Sequence, residues 1–160
     1  MKKQLFKLSD LLQLEVELLG ITNNETNEVI FTGLLNQELT MSTKYWLSEL
    51  VEVVQKEKKA INALREELIK KYGEEDDKGV LGIPYYIASD EVDADGNPVM
   101  ITNPKAIAFQ NEYNELISQE KTIRVPKFEL DTLKDIKSKE TYPLVMKHLI
   151  EKPVIDEVDE

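Results

Sequence analysis

The chain has no cysteine, a single histidine, a single tryptophan and few positive charges. Without cysteine there are no disulfides, thiolate nucleophiles or thiolate metal sites, a composition that fits a reducing compartment. The 20 Lys and Arg residues face 31 Asp and Glu residues, for a formal charge of −11. That balance argues against general nucleic-acid binding, because a duplex-binding surface needs cations to replace the counterions it releases. No run of eighteen apolar residues occurs, and Met1-Lys2-Lys3-Gln4-Leu5-Phe6 lacks a long apolar segment followed by a small-residue cleavage site. The expectation is a cytoplasmic product that does not enter a membrane.

What is present is ordinary for a folded protein: 160 residues, 41% hydrophobic and 32% charged. This predicts one domain over residues 1–152 with a modest core, followed by an acidic tail over 153–160. The longest ordered signal is Ser42 to Tyr72, where Leu47, Leu50, Val54, Ile61, Leu64 and Leu68 recur at three- and four-residue spacing, broken only by Glu57. A helix of that length runs roughly 45 Å, so part of its seam needs a partner. Ser42 or Thr43 can cap it and Gly73 can end it.

Around it, residues 9–20 read as a short helix capped by Ser9 and stopped by Gly20, and Glu28 to Thr32 as a short strand. Tyr85-Tyr86-Ile87 and Val99-Met100-Ile101 flank an acidic Asp-Gly tip, the pattern of a β-hairpin. A second helix is expected from Asn103, with Pro104 at its first position and a stripe of Ala106, Phe109, Tyr113 and Leu116. Thr122 to Leu130 look extended around Pro126, as an edge or exposed arm, and Thr141 to Ile150 as a last helix. The fold class this predicts is mainly α with minor β: a long antiparallel helical hairpin, a short β-hairpin excursion and an extended C-terminal arm. The shorter second helix leaves Trp46 to Val54 to be covered by the first helix, the C-terminal segment or another chain.

No catalytic signature stands out. His148 reads as a surface or boundary residue, and no nucleophile elbow, phosphate loop or zinc-type His pair occurs. Asp93-Ala94-Asp95-Gly96-Asn97 has glycine in the wrong place for a calcium loop, and Pro104 stands where a bidentate Glu would be needed, so an Asp-Gly turn explains it better. The sequence therefore points to no catalytic, cofactor-binding or metal-ligating residue. The aromatics Tyr45, Trp46, Tyr85, Tyr86 and Phe128 are the candidate protein contacts, since Trp and Tyr are enriched in binding hot spots.

Several segments together carry a resemblance: Gly33-Leu34-Leu35-Asn36-Gln37-Glu38-Leu39, Lys44-Tyr45-Trp46-Leu47, Leu64 to Gly73 with its Lys-Lys-Tyr-Gly ending, the acidic Asp-Gly loop, and Phe109-x-x-Glu112-Tyr113-x-x-Leu116-Ile117. Over about Gly33 to Ile150 the chain resembles small tailed-phage proteins of unassigned role, from which it departs by a longer amino-terminal segment and an insertion at Val80 to Ile87. The resemblance implies a non-enzymatic virion structural or assembly protein, a ring subunit of the neck or tail that binds portal, adaptor or tail proteins. It also implies homo-oligomers, with residence in the virion and, during assembly, the host cytoplasm. The alternative is a phage-encoded accessory absent from the particle, either an assembly chaperone or an acidic inhibitor of a host defence protein. Neither reading involves direct nucleic-acid or membrane contact.

Overall fold

A computed structural model describes residues 1–151. In chain order the elements are β1 (Lys2–Lys7), α1 (Leu8–Leu19), β2 (Gly20–Thr22), β3 (Val29–Thr32), α2 (Met41–Tyr72), β4 (Glu74–Glu75), β5 (Leu81–Gly82), β6 (Tyr86–Val92), β7 (Pro98–Thr102), α3 (Pro104–Ile117), β8 (Glu120–Val125) and α4 (Pro143–His148). Four antiparallel two-stranded sheets form: β1 with β8, β2 with β3, β4 with β5 and β6 with β7. Among the described residues 47% are helical and 25% are in strands.

The mainly α, long antiparallel helical hairpin does not form, and the fold is a mixture of helices and small sheets. Matching stripes on two helices do not force the two to pair, because other apolar surface can cover either stripe. In one compact unit, Met1–Lys58 with the described residues from Glu120 onward, Leu47, Leu50, Val51 and Val54 of α2 are buried in a cluster with Phe6, Leu11, Leu14, Leu18, Ile123, Val125, Val145 and Leu149. The first helix and the C-terminal segment thus supply the cover. The expected extended C-terminal arm is also overturned: β8 pairs with β1 from Lys2 opposite Val125 to Lys7 opposite Glu120. Ile123 and Val125 alternate into the core from it, as a half-buried strand requires.

The other unit, Lys59–Gln119, holds the end of α2, the two strand pairs β4–β5 and β6–β7, and α3. Within it, Lys71 Nζ and the Tyr72 hydroxyl donate to Glu112 Oε1 at 2.8 and 2.9 Å, and the Arg65 guanidinium lies 5.9 Å from the Phe109 ring centre. The apolar stripe of α2 fades here: Ile61 is buried, but Leu64 is 45% exposed.

Local signals explain most element ends. Asn103 caps α3, its Oδ1 accepting from the Lys105 amide at 3.0 Å, with Pro104 at the first position. At α2 the cap is Thr40 rather than Ser42 or Thr43: its Oγ1 accepts from the Thr43 amide at 3.3 Å. Ser9 lies inside α1, whose cap position is Lys7 with no side-chain bond. Gly20 ends α1 at φ +82°, and a Cβ on Gly33 would strike the backbone of Leu19 and Gly20, so the close approach of the end of β3 to the end of α1 needs both glycines. The acidic tail at 153–160 lies outside the described residues.

Candidate interaction surface

Tyr45 and Trp46 stand on the first turns of α2, one position before the buried Leu47. Tyr45 is 58% exposed, and the two rings meet edge to face at 5.2 Å between centres. Helical geometry explains the exposure: the stripe that starts at Leu47 turns inward, and the preceding pair is left outside it. Ring-to-ring contact holds the pair in a defined shape without burying it.

Tyr85 and Tyr86 repeat this arrangement at the start of the β6–β7 sheet. Both are 60% exposed, and their rings lie edge to face at 4.8 Å. Asn103 fixes their backbone: its amide donates to Tyr85 O at 2.7 Å and its Nδ2 to Pro84 O at 2.8 Å, while its Oδ1 caps α3. One buried asparagine thereby ties the tyrosine pair to a helix end. Phe128 differs from the other four. It is half-buried against the hydrophobic cluster, and its backbone bridges to Ile150.

The polar groups that sequence reasoning weighed for chemistry have other occupations. His148 is buried rather than at the surface, its ring tilted at 37° against Phe6 with 4.1 Å between centres, and Nδ1 lies 3.3 Å from Gln4 Oε1. Burial, then neighbouring Lys147, lowers its pKa, with Asp10 pulling the other way. Its Nε2 has no hydrogen-bond partner among the described residues. Asp93 Oδ1 accepts from the amides of Asp95 and Asn97, both at 2.9 Å, which accounts for the acidic tip as a turn. Among the described residues no three His, Asp or Glu side chains converge as a metal group would require, and no helix is long and apolar enough to cross a membrane.

Glu17 was not legible as special. It is 1% exposed on α1, and its Oε1 accepts from the amides of Leu144 at 2.9 Å and Val145 at 3.2 Å. It therefore caps the N-terminus of α4 from another element, a place where a carboxylate is favoured by the helix dipole. Burial nonetheless raises its pKa, with the two amides working against that. Nothing nucleophilic lies among these bonds, so the arrangement serves to hold α4 on α1.

A cleft of about 380 Å³ in the second unit is lined by Arg65, Ile69, Ile83, Tyr85, Phe109 and Gln110, among others. It sets the Arg65 guanidinium and the Tyr85 ring among carboxamides and apolar walls. Comparisons with protein families, curated proteins and solved structures find no match to this chain.

Proposed function

We propose that the protein works by association, as a non-enzymatic structural or assembly subunit of a phage particle, placed in a neck or tail ring against portal, adaptor or tail proteins. The observation that carries the associative part is the pair of solvent-facing aromatic couples, Tyr45 with Trp46 and Tyr85 with Tyr86. Large rings left in water and preset in shape bind at low cost in conformational freedom, as hot-spot residues do. The placement in a particle is carried by the sequence resemblance.

Quantitative mass spectrometry of purified particles tests the placement. A fixed copy number near six or twelve relative to the portal supports a ring subunit. Abundance in infected cells with absence from particles replaces it with an accessory role, as chaperone or as inhibitor. The associative part has its own check: Trp46→Glu and Tyr85→Glu should each weaken assembly by at least about tenfold, on the order of the hot-spot effects cited. Circular dichroism and the unfolding midpoint should stay within about 0.5 kcal/mol of the parent, as for exposed positions. Loss of helical signal would assign these rings to the fold instead.

A further inference from the structure

We infer that the outer edge of β7 is a docking site for an extended basic segment of a partner protein, which would add a third strand to the β6–β7 sheet. This rests on the reading that the chain works by association, and it names the chemistry of the partner.

The β6–β7 sheet has two strands only among the described residues, so each strand has one edge of backbone amides and carbonyls without a ladder partner. A two-stranded hairpin is marginal in water without further cover. The two edges are not equivalent. β6 is guarded by Asp90 and Glu91 and by a register break between Ala88 and Val92, the devices that natural edges use against pairing. β7 has neither: Pro98 occupies its first position, where the missing donor costs nothing, and Val99 to Thr102 follow without a charge.

The faces agree with the edge. Ile87 stands opposite Ile101 on one face and Ala88 opposite Met100 on the other, so apolar side chains line both sides of the ribbon. Met100 is 57% exposed. A third, alternating strand against β7 would extend one apolar face with its apolar side chains and carry its other side chains on the opposite face, with backbone bonds providing affinity and alternate side chains the selectivity.

Charge decides between occupants. Residues 73–102 hold eight carboxylates against one lysine, Lys78. A second copy would set this charge against itself, whereas a strand alternating apolar residues with Lys or Arg would neutralise it. The five residues of β7 would pair with a segment roughly 17 Å long.

The test uses the full chain and three blocked nine-residue peptides: alternating Lys and Val, the same peptide N-methylated at every residue, and alternating Glu and Val. Binding is read by fluorescence anisotropy, and amide exchange of Val99–Thr102 by NMR. The Lys-Val peptide should bind at least about tenfold more tightly than either control and slow exchange at those amides. Equal binding of both basic peptides would mean that charge alone attracts them, and would overturn the edge as a site. So would protection confined to other amides. Concentration-dependent protection of β7 in the chain alone would give the edge to a second copy. Particle content is measured separately, so failure here leaves the proposed role in the particle standing.

Discussion

Glu17 shows how a single side chain can hold two elements while working against its own ionised form. Its carboxyl is raised by burial, so the folded state binds its proton more tightly than the unfolded state does. The contribution to stability is therefore full below the ordinary carboxyl pKa of about 4.3 and is lost as pH rises through the raised folded value. Glu17→Gln keeps an oxygen for the Leu144 and Val145 amides and removes the charge. It should flatten the fall in stability as pH rises above the ordinary carboxyl range, measured by urea unfolding at a series of pH values. An unchanged slope would show that Glu17 is not the source. Glu17→Ala leaves both amides without their acceptor and should cost about 1–3 kcal/mol. His148 runs the opposite way: its lowered pKa gives stability above the unfolded value that is lost as pH falls through the folded one.

At the scale of elements, β1 and β2 are strands that the sequence did not announce, and β1 is the more consequential. Its residues are Lys2-Lys3-Gln4-Leu5-Phe6-Lys7, with two apolar side chains in adjacent positions and no visible alternation. Pairing with β8 decides which one matters: Phe6 is buried beside His148, while Leu5 faces out opposite Thr122. Phe6→Ala should cost about 3–5 kcal/mol, as for a buried aromatic, and Leu5→Lys should stay within about 0.5 kcal/mol. Equal losses at the two positions in chemical denaturation would contradict this register. Other elements were legible because their signals are local. α2 follows its three-and-four spacing, α3 its Asn-Pro start, and the β6–β7 hairpin its Asp-Gly turn. The helical hairpin was not legible because its pairing is non-local: nothing in the stripe of α2 states which surface will cover it. The same holds for the candidate contacts: residue type marks Tyr45, Trp46, Tyr85, Tyr86 and Phe128 alike, and only packing sets Phe128 apart.

For the whole molecule, the distribution of buried side chains sets where stability resides. The hydrophobic cluster lies entirely in the unit formed by Met1–Lys58 and the residues from Glu120, whereas Ile61 and Ala106 are the buried apolar residues of Lys59–Gln119. Regions with few buried contacts open first. Hydrogen exchange should therefore be slowest in α1, β1, β8 and the first part of α2. Amides of α3 and β7 should open through fluctuations cheaper by about 3 kcal/mol, roughly a hundredfold in protection. Uniform protection across both units would refute this division.

The pairing of β1 with β8 also orders events in time. Gln4 and His148, in contact in the fold, are 144 positions apart, and the unit of Lys59–Gln119 is synthesised wholly between the two halves of the other. At about 5–20 residues per second, β1 leaves the ribosome roughly 6–24 s before β8 exists to receive it. Throughout that interval Phe6, Leu11, Leu14 and Leu18 lack the Ile123, Val125, Val145 and Leu149 that complete their core. The contiguous, acidic middle of the chain can fold during the wait, while the more stable unit must close last. A nascent-chain chaperone would therefore act on the amino-terminal apolar segment, and slowing translation beyond residue 119 would lengthen its exposure.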